Sequence, residues 1–224
     1  MQMIERMAKE TAREYAFRTI KHNIISLELE PGSMISENEL ASEMGVSRTP
    51  IREALIELGK LRIVEVYPQK GSFVSLIDSE LVEEVRFLRL TLESTIIELV
   101  CESAKPEDIC ALEENLRLQE FYLQHPVLDK QLQLDNEFHE LLFRICKKGF
   151  TYDFLGGMMM HFDRVRSLSL TAIKDKNLIA DHRAIVDAIK EKDKPLAKNI
   201  VTKHLSRYKV DEEQLKRRYP HYFR

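Results

Sequence analysis

Several large classes of protein are argued against by what this chain lacks. Its three cysteines, Cys101, Cys110 and Cys146, are an odd, scattered set with no CxxC spacing, which argues against a disulfide framework or a thiolate zinc site and for buried free thiols. Glycine and proline are scarce, seven of each in 224 residues, and long segments carry a helical period, so a mostly α chain is expected. No run approaches the roughly 18 consecutive apolar residues of a membrane-spanning helix. The start, MQMIERMAKETAREY, is amphipathic and charged, without the apolar core of a signal peptide. A cytoplasmic location and no membrane partner are therefore expected. The strong basic excess of a protein that coats nucleic acid indiscriminately is missing too, the net charge being -3; a site-specific binder can still be acidic overall. What remains, 44% hydrophobic and 32% charged residues, is ordinary for a soluble globular protein with one large or two small domains.

Along the chain, Tyr15, Ala16, Ile20, Ile24 and Ile25 form one apolar stripe on a helix from about 10 to 27, stopped by Pro31-Gly32. Ser36 lies three residues before Glu39, the spacing of a capping box, and starts a short second helix. Gly45 supplies a permissive turn, and Ser47 is placed to cap a third helix, 48 to about 60, with Ile51, Ala54, Leu55 and Leu58 inward. Helix, glycine turn, helix is the helix-turn-helix outline. RIVEVY and SFVSL then bracket Pro68-Gln69-Lys70-Gly71 as a β hairpin, a wing. From Asp78 on no strand signal recurs, and helices are expected at about 79–103, 106–124, 128–147, 151–173, 178–191 and 195–217. The expected fold is thus mainly α: a winged helix-turn-helix over residues 1–77, then an all-helical bundle of about six helices over 78–224.

The third helix opens with SRTPIRE, placing Ser47, Arg48, Thr49 and Arg52 in its first two turns. An arginine there can pair bidentately with guanine, while hydroxyls and free backbone N–H groups hold phosphate. The bland alternative, an N-cap followed by solvated arginines, has comparable weight on composition alone. The whole stretch PGSMISENELASEMGVSRTPIREALIELGKLRIVEVYPQKGSFV, however, closely resembles the DNA-binding domain of the GntR family. That resemblance implies that Arg48, Thr49 and Arg52 contact bases and phosphates, and that Gly71, beside Lys70 at the wing tip, lets the backbone approach the minor groove. Glu37 stands where some relatives carry a basic residue and is read as part of the first turn of its helix. One such head offers few base contacts, so a homodimer on a palindromic operator is expected.

In the second half, Asp135 and His139 are four apart and share a helix face. His182 and His204 follow on two successive helices. One carboxylate and three imidazoles suit zinc, nickel, manganese or iron and leave positions open for a ligand's oxygens. Taken singly, each is more often a surface or satisfied core residue. The combined pattern, on a helical domain behind a GntR head, resembles the FCD domain of the FadR subfamily, in whose metal-binding members these four positions hold the ion. Arg89 and Glu93 match an R-x3-E near the start of that domain, where the Arg lies near the ligand cavity, so Arg89 is the candidate to pair with an effector carboxylate. For Glu93 a plain i,i+4 helix pair is an equal reading. His161, Arg164 and Arg166 are further candidates, although packing explains that segment equally well. The resemblance implies a small carboxylate effector, such as a sugar acid or hydroxy acid, and ligand-relieved repression. The expectation is a DNA-binding repressor and no enzyme. Two alternatives stay open: a metal-dependent hydrolase, for which no general base can be named, and a sensor that binds its ligand without metal.

Overall fold

The computed structural model describes residues 1–172 and 177–224. Its order is α1 (Ala12–Ile25), β1 (Met34–Ile35), α2 (Glu37–Met44), α3 (Arg48–Lys60), β2 (Val64–Tyr67), β3 (Gly71–Val74), then α4 (Ser79–Ser103), α5 (Pro106–Gln124), α6 (Leu128–Ile145), α7 (Gly149–Ala172), α8 (Asn177–Lys190), α9 (Lys194–Ser206) and α10 (Tyr208–Arg218), closed by a 3-10 turn over Pro220–Tyr222. The fold is mainly α, a winged helix-turn-helix followed by a helical bundle.

Local chemistry sets these ends. Thr11 and Glu14 form a reciprocal capping box on α1. The box expected at Ser36 and Glu39 is half made: the Ser36 hydroxyl accepts from the Glu39 N–H at 3.3 Å, with no return bond from the Glu39 side chain. Gly45 ends α2 in the left-handed region at φ 63°, a conformation that costs a residue with a Cβ. Ser47 occupies the N-cap of α3, yet its hydroxyl makes no capping bond. Asp78 and Asp193 do cap, accepting backbone N–H groups of α4 and α9.

The wing hairpin is joined by a strand the sequence did not suggest. β1 pairs antiparallel with β3, Met34 opposite Phe73, giving the order β1-β3-β2. The single helix expected over 195–217 is divided at Arg207 into α9 and α10, so seven α helices follow the wing among the described residues. The expected end of the fourth of them at Ile173 lies outside the described residues. All three cysteines are free, but only Cys101 is buried.

Two buried clusters result. One gathers Ile20, Ile24, Ile51, Leu55, Leu58 and Val74 from α1–α3 and the sheet, together with Met160 of α7. The other runs through α4–α10, with Phe138, Leu142, Ile185 and Val201 at its centre. Three features tie the halves. Met160 enters the first cluster; His161 Nε2 lies 2.8 Å from the Leu61 carbonyl; and the fully buried Arg164 donates to the hydroxyl and carbonyl of Ser75. The C-terminus adds a strap, with Ile77 N–H donating to the Tyr222 carbonyl at 2.8 Å and Arg224 paired to Glu65 and Asp78.

Candidate metal centre and nucleic-acid interface

α6 presents Asp135 and His139 one turn apart, α8 presents His182, and α9 presents His204. The four ligand atoms lie within 4.8 Å of one another. His204 Nε2 sits 3.3 Å from both His182 Nε2 and His139 Nε2. Tetrahedral zinc with bonds of about 2.0–2.1 Å separates its ligand nitrogens by about 3.3 Å, so the spacing suits ligands of a single ion. Asp135 Oδ1 lies 3.6 Å from His182 Nε2 and is buried with no hydrogen-bond partner, a condition natural proteins rarely leave uncompensated.

The rear of each ring is also arranged. His182 Nδ1 lies 2.8 Å from Gln119 Oε1; His139 Nδ1 lies 2.7 Å from Glu93 Oε2; His204 Nδ1 faces Asp181 Oδ2 at 3.7 Å. An oxygen facing each Nδ1 favours the proton on that nitrogen, with a formed hydrogen bond at His182, and leaves the Nε2 lone pairs toward the common centre, the arrangement that orients metal-binding histidines. Gln119 is itself fixed, its Nε2 donating to Asn115 Oδ1 at 2.6 Å while Asn115 Nδ2 donates to the Leu134 carbonyl. The His182 ring stacks on Phe138 with centroids 4.1 Å apart. Neither Gln119, 63 positions from His182, nor Asp181, on the helix before that of His204, leaves a local pattern in the sequence.

Burial dominates the electrostatics. It pushes His204 down from 6.5 to about 4, against the opposing pull of Asp181. It also lowers His182 and His139, the latter against Glu93. Glu93, for its part, would be raised by burial but is held below the usual carboxylate range by Arg89 and His139. The imidazoles are therefore neutral at pH 7, ready to donate lone pairs. Protons compete with metal at Nε2 only once the pH nears the lowered pKa values. An ordinary imidazole set would begin losing metal below about pH 6; here affinity should hold below that and fall as the pH approaches about 4. A zinc titration by calorimetry between pH 7.5 and 4.5 checks this, and a loss centred near 6.5 would contradict it.

A cavity of about 110 Å³ lies beside the cluster, with Arg89, Asp135, Arg166 and His204 among its lining residues. Arg89 is 2% exposed; its Nε donates to Glu93 Oε1 at 2.7 Å, its guanidinium lies over Phe162, and its Nη2 is buried without a hydrogen-bond partner. Glu93 is thus the i,i+4 helix partner of Arg89, and it also stands behind His139, a contact the sequence did not suggest. Arg166 ion-pairs with Asp135 Oδ2 and with Asp163. His161 and Arg164 face the other way, toward the wing and its flanks.

At the opposite end Ser47, Arg48, Thr49 and Arg52 are all exposed along the start of α3, and Lys70 and Gly71 are exposed at the wing tip, where Gly71 has φ 108°. Glu37 does more than begin α2. Arg52 holds it through Nε and Nη2 at 3.2 and 2.8 Å, and Arg48 approaches at 3.3 Å. The Arg52 hydrogen bonds keep the Glu37 carboxyl below its ordinary range. Both arginines are thereby aimed in one direction across the exposed face of α2 and α3.

Residues 12–74 match the family described as Bacterial regulatory proteins, gntR family, and residues 84–207 match the FCD domain. An HTH-type transcriptional regulator in an unstable DNA locus of Streptomyces ambofaciens is 35% identical over 95% of this chain and 90% of its own length. The HTH-type transcriptional repressor RspR of Escherichia coli K12 is 27% identical over 89% of this chain and 88% of its own. Among solved structures, Escherichia coli McbR/YncC superposes with a TM-score of 0.78 at 19% identity, covering 94% of this chain and 99% of that one, a likeness of fold. No helix among the described residues is long and apolar enough to cross a membrane. With a gntR head and an FCD domain matched in sequence and a full-length relative at 35% identity, the chain belongs to the GntR family of transcriptional regulators and is not an enzyme.

Proposed function

We propose that this regulator is a cytoplasmic repressor which binds a palindromic operator as a homodimer and senses a small carboxylate beside a bound divalent metal. Residues 1–77 form the DNA-binding head and 78–224 the sensing and dimerising part. The observation that carries the reading is the convergence of three Nε2 atoms and the orphaned Asp135 Oδ1 on one buried point. Lone pairs so gathered repel one another without a cation, and a cation with four protein ligands keeps room for an effector's oxygens. Zinc fits the nitrogen spacing; nickel, manganese and iron accept the same donors. The metal supplies a positive centre for an anionic ligand. Arg89 stands ready with its unpaired Nη2 to take a carboxylate oxygen. That RspR is named a repressor supports the sign of regulation.

In the head, Ser47, Arg48, Thr49 and Arg52 meet bases and phosphates, and Lys70 and Gly71 reach the backbone beside the minor groove. Arg52→Ala should cost about 1–3 kcal/mol of specific binding. The measurement is a fluorescence titration with an operator selected from random duplexes by the full-length protein; unchanged affinity would remove Arg52 from the readout.

Transmission is assigned to α7, which carries Asp163 and Arg166 toward the metal ligands and Met160, His161 and Arg164 toward the head. The test of the whole reading is an operator titration with metal-loaded and metal-stripped protein, each with and without a candidate acid. A response that survives complete metal removal would leave the metal without a sensing role.

A further inference from the structure

The cavity beside the metal ligands is layered. Its floor is polar, built from Gln119, Asp135, Arg166 and, from the side, Arg89 and His204. One helical turn away, about 5.4 Å along each axis, the chemistry changes. Gln119 is followed on α5 by Leu123, Arg166 on α7 by Leu170, and His182 on α8 is preceded by Leu178 and Ile179. All four apolar residues line the cavity, joined there by the polar Gln131, Ser169 and Arg207, each within a turn of Asp135, Arg166 or His204; none of the four apolar residues belongs to either buried cluster. Leu123, Leu170 and Leu178 are only half-buried, so their apolar surface is not consumed by the core.

A polar, cationic floor beneath a largely apolar collar disfavours a sugar acid. A polyhydroxylated body would set most of its hydroxyls against Leu123, Leu170, Leu178 and Ile179, surrendering hydrogen bonds to water that Gln131, Ser169 and Arg207 replace only in part. A hydrocarbon body of the same size would instead gain by leaving water. Volume sets its size. A cavity of about 150 Å³ lined by similar side chains holds benzene in T4 lysozyme, so about 110 Å³ admits a body near that size or somewhat smaller.

Resting on the metal-sensor reading above, we propose that the effector is a short aliphatic carboxylate, its acid group at Arg89 and the metal ligands and its hydrocarbon body in the leucine collar. This narrows the small carboxylate expected from the sequence and turns away from a sugar acid.

The experiment is calorimetry on zinc-loaded full-length protein, its zinc content first measured by mass spectrometry. The probes are 4-methyl-2-oxopentanoate, threonate, which has the same number of heavy atoms but a hydroxylated body, and gluconate. The aliphatic acid should bind at least about tenfold more tightly than either polar acid. Leu170→Asn should erase most of that preference while zinc content and thermal unfolding stay as in the wild type. Equal or tighter binding of threonate or gluconate, or no binding of the aliphatic acid, overturns the proposal. A protein that takes up no zinc overturns the metal reading instead; the acid preference is then read on that protein, since Arg89 and the collar do not depend on the ion.

Discussion

Replacing His182 with alanine should lower the affinity for zinc by more than about 100-fold. The residue is fully buried, its Nε2 is 3.3 Å from that of His204, and its ring is clamped between Phe138 and the Gln119 amide. Its loss removes a first ligand and also the structure that orients it. Outer partners alone are worth about 10–100-fold in metal affinity, which sets the floor for a direct ligand. A graded companion separates a metal role from a packing role. Gln119→Leu leaves all four ligands in place but frees the His182 tautomer, and should cost about 10–100-fold. A competition titration against a chromogenic chelator reads both. Wild-type affinity in His182→Ala would place the ion elsewhere; a Gln119→Leu loss without any change in unfolding temperature would tie that residue to ligand orientation.

The second large effect is expected at Arg164. Its guanidinium is fully buried and bonded to Ser75, which follows the wing strand β3. Burial, with Arg224 adding to it, pushes this group from its ordinary 12.5 down to about 10. A cation held at such cost with no ion pair among the described residues is poor value for stability alone, since apolar replacement of buried charge is often neutral or better. Its position suits it to transmit movement of α7, which also carries Arg166 against Asp135. Arg164→Met, similar in length, should therefore keep the fold, the metal and operator affinity in the absence of effector, yet lose the effector response. Allosteric couplings of about 1–3 kcal/mol correspond to a 5- to 150-fold change, and that change should shrink toward unity. An undiminished response would take Arg164 out of the coupling.

Much of this was legible in the sequence because its signals are local. Apolar period and caps gave α4 and α5 at their observed ends, Gly45 gave the turn of the head, and Asp135 with His139 declared a shared face. His182 and His204 needed the family resemblance, since nothing within their own helices links them. What escaped depends on contacts distant in sequence or on elements too short to carry a period. β1 has two residues and exists because β3 pairs with it. Gln119 reaches His182, and Asp181 with Arg207 stands behind His204, only once α5, α8 and α9 have packed. The C-terminal strap over Ile77 is 146 residues from its partner Asp78. Glu37, by contrast, is legible in the sequence as a departure at a contact position; its role as a support for Arg52 follows only from geometry.

The central claim is that one buried metal ion, held by Asp135, His139, His182 and His204, is the sensing element of this regulator. The most direct test is the metal content of purified full-length protein by inductively coupled plasma mass spectrometry, in wild type and in His182→Ala with His204→Ala. The account predicts one divalent transition metal per chain in the wild type and none in the double variant. A full complement of metal in the double variant, or none in a folded wild type supplied with zinc, would contradict it.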